Sequence, residues 1–235
     1  IAWLTSRQAD WAVEGNAFAP HNWWHLALFH LDGGNHDAVL DLYDRRIDGP
    51  QADMLLVLVD LTALLWRLQL EGVYVGARFE QVAYRWQEKL AVEGGGYAFN
   101  DLHAMMSLAA TRRSDGVAEL LSRMEAAAAE GGANGAMTSA VGLPLAQGML
   151  AFAQGRNADA IEHIEPVRDS AHRFGGSHAQ RDLLTLTLIA AATRDGQMAL
   201  ARHYIAERAV GKPTTWSDRL MARTRRARND LPMAA

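Results

Sequence analysis

The phrase Gly-x-x-x-x-Ala returns at a nearly fixed interval along this chain. It runs Gly33 to Ala38, Gly72 to Ala77, Gly155 to Ala160 and Gly196 to Ala201, with Arg113 to Ala118 as a copy that lacks its leading glycine. The leading positions 33, 72, 113, 155 and 196 are separated by 39, 41, 42 and 41 residues. A period of that size with helical flanks marks an αα-hairpin solenoid, in which each unit buries its apolar face only by stacking on its neighbours. The expected fold class is therefore all-α, a right-handed superhelix of about five helix pairs with terminal helices, spanning 1–235 as one unit.

The flanks carry apolar residues at three- and four-residue spacing, which predicts helix pairs at 22–32 with 36–47, 52–71 with 75–91, 99–112 with 115–130, 137–154 with 157–173 and 178–194 with 197–210. A half-pair precedes them and a terminal helix follows near 214–229. Each glycine ends a helix where a residue without Cβ turns most easily, and each alanine sits where the next helix packs closely. Between pairs, Gly49-Pro50, Gly94-Gly95-Gly96, Gly131-Gly132 and Gly175-Gly176 act as breaks. Thr215 and Asp218 are spaced as a capping box for the last helix. The opening residues Ile1-Ala2-Trp3-Leu4 read as a helix interior, so the chain is expected to be the C-terminal part of a longer protein.

Net charge of −4 argues against a nucleic-acid or membrane-surface partner, each of which would favour a dominant basic face. The one basic cluster, Arg219, Arg223, Arg225, Arg226 and Arg228, reads as a solvated helix face or a contact between copies in a homo-oligomer. Absence of cysteine excludes disulfides, cysteine–zinc sites and thiol catalysis. The longest apolar run, Met54–Trp66, is broken by Asp60 and too short to cross a bilayer, so a soluble, cytoplasmic protein is expected.

Three polar blocks stand out against this apolar background. Twelve positions before each repeat residue stand His21, Asp60, Asp101, Leu143 and Leu184, three of them ionisable and at similar heights on neighbouring helices. Asp60 interrupts a run of aliphatic residues; buried there, it requires a partner, for which His21, His103 and Arg181 are the candidates, with backbone amides as the alternative. In the first block, His21-Asn22-Trp23-Trp24-His25, two imidazoles share a helical face. The glutamate of a His-Glu-x-x-His motif and a third ligand are missing, so no metal is expected.

The second block holds Asn100, Asp101 and His103, with Asn100 suited to a helix N-cap. The third, Gly175-Gly176-Ser177-His178-Ala179-Gln180-Arg181-Asp182, opens a helix with exposed amides beside an arginine, an arrangement able to receive a carboxylate or phosphate. Capping by Ser177 and an Arg181–Asp182 network explain the same letters. Together the blocks nominate a concave polar pocket of His21, Asn22, His25, Asp60, Asn100, Asp101, His103, Ser177, His178, Gln180 and Arg181. The favoured function is a binding or scaffold module for a peptide segment or small anionic ligand, with no cofactor. The alternative is a hydrolase-type enzyme with a histidine–carboxylate pair drawn from His21, Asp60, Asp101 and His103.

His21-Asn-Trp-Trp-His-Leu-Ala-Leu-Phe-His30, Asp60-Leu-Thr-Ala-Leu-Leu-Trp-Arg-Leu68, Phe99-Asn-Asp-Leu-His-Ala-Met105 and Gly175-Gly-Ser-His-Ala-Gln-Arg-Asp182, in that order, resemble the tetratricopeptide repeat protein 38 family over essentially the whole chain. That resemblance implies a tetratricopeptide-like helical superhelix in a protein longer at its N-terminus. It implies no catalytic residues, and the period here exceeds that of standard tetratricopeptide repeats.

Overall fold

The computed structural model describes residues 1–13 and 15–229, with side chains as far as Arg225. It is all-helical, with no strand among the described residues. Two short helices, α1 (Ala2–Ser6) and α2 (Gln8–Trp11), precede α3 (Ala19–Asp32) and its partner α4 (His36–Leu42), which widens into a π turn at Tyr43–Ile47. Next come α5 (Leu55–Leu70) with α6 (Arg78–Glu93), and α7 (Ala98–Ala110) with α8 (Ser114–Glu130). A fourth pair is less regular. Helix α9 (Gly132–Met137) passes through a π turn into α10 (Leu143–Ala153), and α11 (Asn157–Ile164) tightens into a 3-10 helix over Glu165–Phe174. The described residues end with α12 (His178–Arg194), α13 (Met198–Gly211) and α14 (Thr215–Asn229).

One turn closes all five hairpins. Gly34, Gly72, Gly155 and Gly196 have φ of 77°, 80°, 77° and 78°, and in each case the next amide bonds back to a carbonyl five residues earlier, as Asn35 does to His30. This is the Schellman closure, which satisfies carbonyls orphaned at a helix end. The left-handed residue of the first hairpin is thus Gly34 and not Gly33, and in the third it is Arg112, at φ 56°. A non-glycine residue held there costs of order 1–3 kcal/mol. The alanine expected at close packing is buried at Ala160 and Ala201 but exposed at Ala77 and Ala118. In the third pair buried Gly116 takes that role, lying against Leu108.

The first helices of the pairs pack on one another. Helix α3 touches α5, α5 touches α7, α7 touches α10, α10 touches α12, and α12 returns to α5. That return accounts for the burial of every residue from Val57 to Leu68. Trp66 Nε1 donates to Thr187 Oγ1 at 3.0 Å and Arg67 Nη2 to the Ala179 carbonyl at 2.6 Å, both fastening α5 to α12. The helical run Gly132–Ala153 is long and apolar enough to cross a membrane, with mean hydropathy 1.3. It lies instead among α7, α8 and α11, with 56% of its most apolar window buried.

Helix α14 packs on α13 and α3. Arg223 binds both oxygens of buried Glu71 at 3.0 and 3.1 Å, and Trp216 Nε1 donates to the same carboxylate. Arg219 donates to the carbonyls of Leu31 and Asp32 at the end of α3. Two of the basic residues read as a solvated face or intermolecular contact therefore turn into their own molecule, while the side chains of Arg226 and Arg228 lie outside the described residues. Thr215 donates to the Asp32 carbonyl at 2.7 Å, a contact to α3 in place of the expected capping box.

Candidate functional site

Helix α3 opens with proline in its first turn, where the missing N–H costs nothing, and sends His21 and His25 from one face toward α5. His21 Nδ1 lies 2.7 Å from Asp60 Oδ2, which makes His21 the partner of this wholly buried carboxylate. The outer nitrogen, His21 Nε2, lies 3.2 Å from His25 Nε2. The Trp24 ring stacks on His21 at 5.3 Å. Asp60 holds His21 above its ordinary value, whereas burial and the charges of His21 and Lys212 pull His25 below it. Of the two rings, His21 is therefore the one held toward its protonated form, with Asp60 at its Nδ1 and His25 at its Nε2. Burial pushes the Asp60 carboxyl up, and the hydrogen bond to His21 is the strongest pull back.

The second block does not join the first. Helix α7 begins at Ala98, so Asn100 lies inside it and Tyr97 stands at the cap. Asp101 Oδ1 accepts the Gly95 amide at 2.9 Å, and burial pushes its carboxyl up to about 7. His103 lies two residues on, about 200° around the helix at 3.6 residues per turn, and so faces elsewhere. Its Nδ1 bonds the Phe99 carbonyl at 2.7 Å, and burial pushes it down to about 4, a neutral ring. Asp101 and His103 are not the catalytic pair the sequence allowed.

The third block is largely committed to its own loop. Ser177 Oγ accepts the Gln180 amide at 3.2 Å and Gln180 Oε1 accepts the Ser177 amide at 2.8 Å, a complete capping box. Arg181 donates to the carbonyls of Gly175 and Gly176. The exposed amides expected to hold an anion are to that extent used, at Ser177 and Gln180. Asp182 does not pair with Arg181; it receives Arg208 through two bonds of 2.8 Å each.

Beside this loop lies a pocket of about 410 Å³ between the 3-10 segment, α12 and α13, lined by residues including His178, Arg181, Asp182, Arg208 and Lys212. His21, His25, Asp60, Asp101 and His103 do not line it, so the three blocks do not converge on this pocket. Lys212 links the two polar regions. It stands 3.4 Å from Asp32 and 3.5 Å from Asp182, and its charge is felt at His25. Sequence reasoning missed Arg67, Arg208 and Lys212. Arg67, set in Leu64-Leu65-Trp66-Arg67-Leu68, is as anomalous in an apolar run as Asp60 and carried the same signal; Arg208, near the end of α13, and Lys212, just past it, stand in a stretch of mixed polarity and carried none. Among the described residues no group of three or more His, Asp or Glu is placed to hold a metal ion.

No family model matches this chain, and no solved structure matches it.

Proposed function

We propose that this chain is a helical-repeat binding module of tetratricopeptide-like build, as in the family it resembles, soluble and cytoplasmic, whose pocket beside α12 accepts a peptide segment or small anionic ligand. The uniform hairpin closures and the succession of first helices support a superhelix of αα hairpins, wound tightly enough for α12 to meet α5. The observation that carries the binding role is a set of donors with capacity to spare at one opening. The His178 side chain makes no hydrogen bond among the described residues, Arg181 uses only Nη1, and Lys212 is held by ion pairs of 3.4 and 3.5 Å to Asp32 and Asp182. Asp169 and Glu207, from two different walls of the pocket, supply acceptors, so the lining suits a peptide backbone that also carries an acid. The volume of about 410 Å³ falls among ligand sites, which run about 300–1,000 Å³.

The test is fluorescence polarisation with a set of labelled acidic peptides and inorganic phosphate as competitor. A peptide bound by the wild type should lose at least tenfold affinity in the double variant His178→Ala, Lys212→Ala and keep it in Arg123→Ala. Equal affinity in all three would sink the reading.

One observation supports a second reading, a hydrolase-type enzyme: His21, with its side chain 21% exposed, sits 2.7 Å from Asp60. In the relay His21 would be neutral, giving its Nδ1–H to Asp60 and accepting the His25 Nε2–H at its own Nε2, which leaves His25 Nδ1 as the general base. Turnover of p-nitrophenyl acetate or p-nitrophenyl phosphate that Asp60→Asn abolishes would favour it. Turnover equal in the two proteins would remove it.

A further inference from the structure

Four of the five hairpins close on glycine, and the fifth closes on Arg112 in a left-handed conformation that glycine takes freely and arginine does not. Arg112 is the one non-glycine residue with positive φ among those described. Where local backbone preference is overridden, a functional demand is the first thing to look for. Arg112 borders a second pocket, of about 210 Å³, set where the C-terminal ends of α5, α7, α10 and α12 meet. Arg194, from the end of α12, borders it too, its guanidinium 4.6 Å over the Phe152 ring. Neither arginine has a side-chain hydrogen bond or ion pair among the described residues, and no acid lines this pocket, in contrast to the one beside α12.

We infer that this pocket binds a small organic carboxylate, gripped by Arg112 and Arg194 and walled by Leu70, Ala109, Ala110 and Ala153. Guanidinium groups match a carboxylate through paired N–H donors. Four helix C-termini bring partial negative charge to the same place and offset part of the guanidinium charge, and because the cost of stripping water from an anion grows faster than its charge, a monoanion is the better guest. Leu70, Ala109, Ala110 and Ala153 form a small apolar strip in an otherwise mostly polar lining, room for a short apolar body beside the two guanidinium groups. The site is separate from the pocket beside α12, and the inference does not depend on that reading.

Isothermal titration calorimetry on the full chain, with sodium benzoate as probe, tests it. Saturable binding is expected, weakened at least tenfold in Arg112→Gly and in Arg194→Gln and unchanged in the double variant His178→Ala, Lys212→Ala. Inorganic phosphate and benzyl alcohol should each bind more weakly than benzoate. Arg112→Gly should also raise Tm by about 2–4 °C, because glycine relieves the left-handed turn. A gain in stability joined to a loss of binding is what a purely structural arginine could not produce. The inference is overturned by absence of saturable benzoate binding, by unchanged affinity in either arginine variant, by phosphate or benzyl alcohol binding as tightly, or by a lower Tm in Arg112→Gly.

Discussion

The two ends of α5 bury negative charge in opposite ways. Near the start, Asp60 has a single strong partner, His21, and its Oδ1 has no hydrogen bond among the described residues. Just past the other end, Glu71 gathers Trp216, both nitrogens of Arg223, and the more distant Arg219 and His36 at 3.7 Å each. Both side chains are almost wholly shut from water, at 0% and 1% exposure. A helix C-terminus is the unfavourable end for a carboxylate, so cations and an indole, not the helix, hold Glu71. The difference teaches how to tell a clamp from a site. An amply partnered buried charge fastens α14 to the first half of the chain, whereas a sparsely partnered one leaves its histidine relay free to respond to protons or ligands.

The sharpest way to break that comparison is Glu71→Ala. Removing one member of a buried ion pair costs about 3–5 kcal/mol, and because Arg219 and Arg223 are partly exposed and can turn to water, the lower end is expected here. Urea unfolding reads the loss directly. A change below about 1 kcal/mol would mean that the α14 clamp contributes no more than a surface pair.

A third buried carboxylate sharpens the rule through pH. Asp101, with only the Gly95 amide, is pushed up to about 7, so its contribution is full below its unfolded value of 3.8 and lost as pH rises through about 7. His103, pushed down to about 4, works the other way: its contribution is full above 6.5 and lost as pH falls toward 4. Each slope is at most about 1.4 kcal/mol per pH unit, and between pH 4 and 6.5 the two oppose each other. Asp101→Asn should therefore make the protein lose stability on acidification across that window, relative to wild type, and His103→Gln should do the reverse. Parallel pH–stability curves for the wild type and both variants would show that neither group titrates as its burial requires.

Much of the helix order was legible because punctuation is local. Glycine pairs, proline and three- and four-residue periodicity mark where helices stop, and the predicted pairs follow the observed ones within about three residues, except that the fourth begins at Gly132, five residues before the predicted start. The π turns at Tyr43–Ile47 and Thr138–Gly142 left no mark in the pattern, since their residues fit an ordinary helix. Asp60 was legible as a buried charge in need of a partner, and matched repeat offsets placed His21 beside it. The same offsets failed for Asp101, whose carboxylate turns back to Gly95 at its own helix start. Contacts made by the return of α12 to α5 and of α14 to Glu71 span 112 to 152 residues, and no periodicity encodes them.

The smallest expected effect is the most specific. Asp60→Asn keeps an oxygen for His21 Nδ1 while deleting the charge, so the net loss at neutral pH should be about 1 kcal/mol, well short of Glu71→Ala. Its pH dependence has a definite sign. His21 is raised by Asp60, so its contribution is fully present below 6.5 and lost as pH rises through the folded value. The advantage of wild type over Asp60→Asn should therefore shrink as pH rises through that value. NMR titration supplies the residue-level reading. Without the carboxylate, His21 should titrate lower, and His25, relieved of a charged neighbour at 3.2 Å, should titrate higher. If both histidines move together, or neither moves, the Asp60–His21–His25 relay is not electrostatically connected and the two ends of α5 differ only in how many neighbours they have.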